Sequence, residues 1–387
     1  MRDVIRVTHV GKFYPPVPGG MERVLHALCQ GEREKGIDSR ALVVATGPKT
    51  VEEAVAGVPV TRAASLLRVG SVWFAPALIP LLKRIRTDIL VLHEPNPMAL
   101  LAYAIARPRH RLVVWYHSEV LRPRWRYKLI YEPFLKVPMR RAVRIFVSSP
   151  ALVEHAGALA AHRRQCEVIP FGLDIPGPRD AAPPSSIAAV RAKWPGPIAL
   201  FVGRLVPYKG VGVLLRALRG VEVAAVIIGD GPLRSPLERE TAMLGIGDRV
   251  FFLGSVDDAT VAAWYAASDF FVLPSVTRAE AFGLVQLEAM ARGKPVISTR
   301  LATGVPWVNQ DGVSGLTVEP GDALALAAAI RHLSVHRAER DRLARGAAAR
   351  AQAQFAKTRM LTLFGDIVEQ VVSRPAPVAA FAGAGLS

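Results

Sequence analysis

Two carboxylates, Glu280 and Glu288, bracket a Phe-Gly-Leu turn in the stretch RAEAFGLVQLEAM, residues 278 to 290. If a helix begins at that turn, the amides of Phe282, Gly283 and Leu284 are donors without intrahelical partners, and they point out of its N-terminus. A phosphate suits such donors. Glu288 would lie about 7.5 Å further along the axis, at 1.5 Å per residue. Carboxylates accept strongly from neutral hydroxyls, so Glu280 is placed to hold a sugar and Glu288 a ribose. Two solvated acids on an ordinary helix are the plain alternative.

Other candidates sit where strand-like runs end. FVGRLVPYKGVGVLLRAL (201 to 218) carries Arg204 and Lys209 around a proline-containing loop that leads into a helical pattern. Arg as a planar fork and Lys as a point charge can together neutralise a diphosphate. Lys209 is followed by Gly210, so this is not a P-loop; solvated surface cations are the alternative. IIGDGP (227 to 232) places Gly231 where a nucleotide base or ribose could approach the backbone, or where the chain merely turns. GKFYPPVPGGMERV (11 to 24) puts Gly19 and Gly20 directly before a helical pattern, an anion cradle or a plain tight turn. It has no G-x-G-x-x-G fingerprint. RLVVWYHSE (111 to 119) ends an apolar run on His117, a buried histidine by default. No Asp-x-Asp pair occurs, so a metal-held diphosphate is not expected.

These residues need a scaffold. Short apolar runs alternate with amphipathic segments, the pattern of parallel sheets covered by helices. Strands are expected at 4–10, 41–45, 89–93, 111–117, 144–149 and 166–172, then at 198–203, 221–229, 249–254, 269–274 and 295–300. Met21, Val24, Leu25 and Leu28 form one apolar helix face. The proline-rich PGPRDAAPPSS (176 to 186) breaks the periodicity and reads as a linker. At 387 residues two domains are expected: 1–175, a linker over 176–190, then 191–356. An amphipathic helix follows at 357–372, and the tail 373–387 reads as disordered. Ligands in doubly wound domains bind beyond the carboxyl ends of the strands.

Half the residues are apolar, which describes a globular chain. The longest apolar stretch, residues 71 to 82, is too short to span a bilayer. With no signal-peptide pattern at the start, a cytoplasmic location is expected. Cys29 and Cys166 form no CxxC and read as free thiols. The net charge of +17 is concentrated in residues 1–190, with 27 Lys/Arg against 15 Asp/Glu. The segment 122–141 carries seven Lys/Arg, one acid and interleaved aromatics. Arg122, Arg124, Trp125, Arg126 and Lys128 there suit an anionic membrane surface; nucleic-acid binding or a solvated face would share the composition.

Taken in order, PGGME, FVGRLVPYKG, IIGDGP and EAFGLVQLE resemble the family 4 retaining glycosyltransferases, and the resemblance covers nearly the whole chain. It implies the GT-B arrangement: two Rossmann-like doubly wound α/β domains facing across a cleft, with helix 357–372 crossing back onto the first. It implies that Arg204 and Lys209 hold the donor diphosphate, with Gly203 and Gly231 lining the donor site. Glu280 and the amides of Phe282, Gly283 and Leu284 would hold the transferred sugar, and Glu288 the ribose. Gly19, Gly20 and His117 would face the sugar and acceptor. Two departures stand out. Tyr208 precedes the lysine where many members have Glu, and ATGVPWVNQDGVSGLTV (302 to 318) replaces a Gly-Gly-acid motif. The variant is similar to the branch that adds mannose or rhamnose to bacterial surface polysaccharides.

The resemblance therefore implies hexose transfer from a nucleotide sugar, preferably a GDP-sugar, to a lipid-linked saccharide. It implies no metal or other cofactor and no nucleic-acid partner. Arg204, Lys209 and the helix N-terminus would stabilise the departing diphosphate, and neither glutamate is assigned as nucleophile or base. A UDP-sugar transferase, a nucleotide-sugar epimerase or hydrolase, and a basic nucleic-acid-binding protein are the competing readings.

Overall fold

The computed structural model describes residues 4–17, 19–70, 72–120, 131–174 and 185–373. The first sheet is built from β1 (Arg6–Val10), β2 (Asp38–Val44), β3 (Val51–Val55), β4 (Val58–Ala63), β7 (Ile89–Glu94), β8 (Arg111–Tyr116), β9 (Arg144–Val147) and β10 (Cys166–Val168). A separate ribbon pairs β5 (Leu67–Val69) with β6 (Val72–Phe74). The sheet order is β10-β9-β8-β7-β1-β2-β4-β3. Its central strands are parallel, with Val10 opposite both Leu42 and Leu92. Strand β7 is buried along its whole length, as expected of a parallel strand covered on both faces.

The second sheet holds β11 (Ile198–Val202), β12 (Ala224–Ile228), β13 (Val250–Gly254), β14 (Phe270–Leu273), β15 (Val296–Thr299) and β16 (Gly315–Val318), all in parallel pairs. Its order is β13-β12-β11-β14-β15-β16. The chain thus winds outward from β11, then returns to the other side of it at β14. That reversal opens a crevice at the carboxyl ends of β11 and β14, the place where open α/β sheets bind ligands. In the first sheet the equivalent reversal lies between β1 and β7. The core under the second sheet includes Phe201, Leu214, Leu218, Ile227 and Phe270, each fully buried.

By packing, the chain separates into two units. One comprises Met1–Tyr116, Lys128–Phe146 and Leu361–Ser387; the other comprises His117–Tyr127 and Val147–Met360. The expected alternation of strands and helices holds in both. Strands β3 and β4 were not foreseen from periodicity: they form an antiparallel hairpin turned by Ala56 and Gly57, both at positive φ. Strand β16 was also missed: it opens on Gly315 directly behind the turn residues Asp311, Gly312 and Ser314, and only Leu316 and Val318 in it are large and apolar. The stretch 71–82 contributes β6 and a helix over Leu78–Arg84. Of the expected linker, residues 185 onward form a helix, Ser185–Lys193; its earlier part and the tail from 374 lie outside the described residues. Cys29 is buried and Cys166 half-buried, both free. Among the described residues no helix is long and apolar enough to cross a membrane.

The last helix, Lys357–Ser373, follows a second-unit bridge between Leu173 and Ala356. From Leu361 on it packs in the first unit, where Phe364 stacks on Trp115 at 5.6 Å. A Cβ at Gly31 would collide with Leu361, so glycine lets helix α1 (Gly20–Glu34) and this last helix approach closely.

Candidate functional site

The loops after β11 and β14 meet at the crevice of the second sheet. After β11 the chain makes a short 3-10 turn, Pro207–Lys209, and Gly210 in the left-handed region starts helix α2 (Val211–Leu218). No side chain fits at Gly210, because a Cβ would run into the carbonyl of Pro274. A backbone bond from Val276 N–H to Tyr208 O, 2.8 Å, ties the two loops together. Lys209 Nζ consequently lies 2.6 Å from Glu280 Oε2, with each side chain 10% exposed. Ser275 Oγ donates to the same carboxylate at 3.0 Å. The Lys209 ammonium also lies 5.7 Å from the Tyr208 ring centroid, so Tyr208, the departure noted above, backs the lysine with an aromatic face.

The helix predicted from the Phe-Gly-Leu turn is α3 (Leu284–Ala291), with Gly283 in the left-handed region before it. Gln286, fully buried, donates to Phe282 O at 2.7 Å and to Val305 O at 3.3 Å. That side chain, which sequence reasoning passed over, pins the turn. The amides of Phe282, Gly283 and Leu284 make no hydrogen bond among the described residues, leaving them as donors at the helix N-terminus. The Phe282 ring is not solvent-facing: it packs edge-on to Phe171 at 4.9 Å and to Phe355 at 6.0 Å. Glu288 is half-buried on α3. The segment 302–318 lies directly behind this turn, Gly304 N–H donating to Ala281 O at 2.8 Å. Buried Asn309 braces it with donations to Val296 O, Ser298 Oγ and Leu316 O.

Arg204 is exposed at the mouth of the same crevice loop. Gly203, Gly229 and Gly231 interlock the loops after β11 and β12: a Cβ at Gly229 would strike Gly203 O, and one at Gly231 would come within 2.5 Å of Leu205 O. Glycine at 231 is therefore required by close backbone approach, whatever else passes over it.

His117 is 2% exposed and stacks on Phe171 at 5.3 Å. Burial pushes its pKa down to about 3, so the imidazole is neutral at physiological pH. It connects through Phe171 to Phe282, a ring-to-ring path within the second unit. A second link escaped the sequence: Arg278 pairs with Glu119 at 2.7 Å and donates to His155 O. An isolated Arg beside the motif carries no signal for a partner so far away in the chain.

In the first unit Gly20 opens α1 and Gly19 is its N-cap. Glu22 folds its carboxylate back against Gly19, and burial raises its pKa, opposed by its own backbone hydrogen bond and by Lys12. The cradle expected at Gly19 and Gly20 therefore already faces a carboxylate of its own helix. Arg122, Arg124, Trp125, Arg126 and Lys128 lie outside the described residues. Among the described residues, His9, Cys29 and Glu32 have metal-ligand spacing, their donor atoms within 4.8 Å. His9 is already bonded to Glu32 at 2.8 Å and to His93 at 2.9 Å, and Ser39 donates to Glu32, which makes the group an internal polar brace.

Two family profiles match the chain: Glycosyltransferase Family 4 over residues 18–175 and Glycosyl transferases group 1 over residues 187–350. The chain is 34% identical over 355 residues to D-rhamnosyltransferase WbpZ of Pseudomonas aeruginosa, covering 91% of this chain and 92% of that one. It is 31% identical to the O-antigen chain mannosyltransferase C of Escherichia coli, covering 94% and 98%. Among solved structures, Anabaena HepE in complex with UDP superposes with a TM-score of 0.75 at 23% identity, over 95% of this chain and 100% of that one.

Proposed function

The chain belongs to glycosyltransferase family 4 and has the GT-B fold, and from that premise we propose a specific reaction for it. It transfers a hexose, with retention of configuration, from a GDP-sugar of the mannose type to a lipid-linked saccharide during assembly of a bacterial surface polysaccharide. The donor class is supported by the mannosyl- and rhamnosyltransferases among its relatives. The observation that carries the site is the Lys209–Glu280 pair at the crevice of the second sheet.

A diphosphate entering there exchanges with Glu280 as the partner of Lys209, while Arg204 supplies a second cation. Glu280 is then released to accept from the sugar hydroxyls, with the Phe282–Leu284 amides beside it. Glu288 takes the ribose hydroxyls. As the sugar–phosphate bond breaks, charge accumulates on the diphosphate, and the preorganised cations and amides stabilise it there. No metal is assigned a part in this scheme. The acceptor hydroxyl attacks the oxocarbenium-like sugar from the face the diphosphate leaves, and a donor phosphate oxygen takes its proton. Buried, neutral His117 acts by positioning and not as a charge. The basic segment around Arg122, Arg124, Trp125, Arg126 and Lys128 holds the enzyme peripherally on the anionic inner face of the cytoplasmic membrane.

Incubation with radiolabelled GDP-mannose, GDP-rhamnose and UDP-glucose plus bacterial membrane extract tests this reading. Label from a GDP-sugar should enter the lipid fraction. Label entering only from UDP-glucose overturns the donor assignment, and release of free sugar without transfer overturns the transferase assignment.

A further inference from the structure

The first sheet has its own reversal point, and its chemistry repeats that of the second. Val10 pairs with Leu92, so Lys12 and Glu94 leave the sheet side by side from β1 and β7. In the second sheet the corresponding loops carry Lys209 and Glu280. No resemblance or motif assigned a role to the loop after β7, which reads Glu94-Pro95-Asn96.

Asn96 is 2% exposed. Its Oδ1 accepts from Ala99 N–H at 3.2 Å, capping the helix over Pro97–Ala106. That bond settles which end of the amide is which: Nδ2 faces the other way, buried and with no hydrogen-bond partner. Glu94 is fully buried and holds Asn96 in place, Oε2 accepting from Asn96 N–H at 2.6 Å and from Tyr131 O–H at 2.8 Å. Its Oε1 also has no partner. Buried polar groups are rarely left so. Asn96 lines a crevice with Lys12, Val44, Val72, Trp73, Pro97 and Met98, whose free volume is about 10 Å³. That is room for one water-sized group. A whole sugar ring does not fit, but a single hydroxyl projecting from one does. The wall is mostly apolar, with Asn96 and Lys12 as its polar residues, so few polar groups fix the orientation of what enters.

We propose that this crevice reads one hydroxyl of the acceptor saccharide, with Asn96 Nδ2 as the binding donor and Glu94 as the residue that positions it. The inference rests on the transferase reading only for the word acceptor. Burial pushes the Glu94 carboxyl up to about 8, so it is protonated at neutral pH. Since Oε2 already accepts two bonds, the proton resides on Oε1, and Glu94 holds Asn96 as a neutral acid. Lys12, its own pKa lowered by burial, lines the same crevice and supplies a second donor. Two donor-bearing side chains around one small space select an oxygen atom as the ligand group.

Saturation-transfer NMR on the full chain tests this with methyl α-mannopyranoside, methyl α-rhamnopyranoside and inorganic phosphate as probes. Asn96→Ser and Asn96→Asp both retain a good helix cap but lose the amide donor. At least one glycoside should bind the wild type, and both variants should weaken it by about tenfold, the worth of one buried hydrogen bond. Glu280→Gln, on the donor side, reports any glycoside held where the transferred hexose sits. In transfer assays the half-saturating amount of membrane-extract acceptor should rise by a similar factor in Glu94→Ala and return towards wild type in Glu94→Gln, which keeps an acceptor and a donor there, while that of the donor stays constant in both. Glycosides that bind neither wild type nor variants overturn the proposal, as does binding that survives in both Asn96 variants. Loss in Glu280→Gln instead would assign the glycoside to the donor side, and phosphate binding alone would replace the sugar. If glycosides bind as stated but no donor is turned over, only the transferase reading fails.

Discussion

Lys209 Nζ and Glu280 Oε2 lie 2.6 Å apart with only a tenth of each side chain exposed. The pair is closed by two loops that leave adjacent strands of the second sheet on opposite sides of its reversal point. Removing one member strands the other as a buried, uncompensated charge, which costs about 3–5 kcal/mol. Lys209→Ala and Glu280→Ala should each lower urea-unfolding stability by about that much. The double variant should lose less than the sum, because it buries no lone charge. Donor turnover should fall by about 100-fold or more in each single variant. Additive stability losses, or turnover near wild type, would remove the pair from the site.

Gly231→Ala should act on the donor through the backbone. A Cβ there comes within 2.5 Å of Leu205 O and 2.8 Å of Leu205 N, and Leu205 follows Arg204 directly. The loop must shift, carrying Arg204 with it. We expect the donor concentration for half-maximal rate to rise by about tenfold, with a modest drop in melting temperature. A donor titration with unchanged half-saturation would show that the loop absorbs the methyl group elsewhere.

Gly283→Ala meets two obstacles. The residue sits at φ 72°, and the added Cβ would approach Leu273 Cδ2 to 2.7 Å and Gln286 Nε2 to 2.9 Å. Loss of about 1–3 kcal/mol is expected from the strained backbone and the displaced Gln286. Because the Phe282–Leu284 amides move with it, donor binding should weaken beyond what the loss of stability explains. Calorimetric titration with GDP well below the unfolding temperature measures this directly; unaltered affinity counts against the amides as a phosphate site.

The pH dependence of stability should bend in opposite directions for two buried groups. His117 has its pKa lowered by burial from 6.5 to about 3. Its contribution is complete above pH 6.5 and is lost as pH falls toward 3, because the unfolded chain takes up the proton first. Glu94 is raised from 4.5 to about 8. Its contribution is complete below pH 4.5 and is lost as pH rises through 8. Urea midpoints measured from pH 4 to 9 (about 1 unit apart,) should decline less on the acid side in His117→Phe and less on the alkaline side in Glu94→Gln. Parallel curves for wild type and both variants would contradict the burial of these charges.

Much of the second unit is legible in the amino-acid sequence alone. Short Val/Ile/Phe runs bounded by Gly and Pro mark buried parallel strands because their signal is local. The Phe-Gly-Leu turn announced a helix for the same reason, and α3 begins there. Where the local signal was weak, reading failed: β16 opens on Gly315 behind a run of turn residues, and the β3–β4 hairpin is turned by an Ala-Gly pair that no composition rule singles out. The expected cradle at Gly19 and Gly20 looked open only because the sequence does not show Glu22 folding back on it.

By itself, then, the amino-acid sequence determined the residue types that can hold a phosphorylated sugar, the alternation of elements and the family the chain belongs to. Each is written in spacing over a few residues or in an ordered series of motifs. Only the tertiary structure decided that Lys209 neutralises Glu280, that Gln286 pins the turn, that Arg278 reaches Glu119, and that His117 is kept uncharged. It also decided that Asn96 is left with a buried donor and no acceptor. All of these depend on which strands lie side by side and how deeply each loop is buried. Strand order and burial are properties of the packed chain, and no local pattern encodes them.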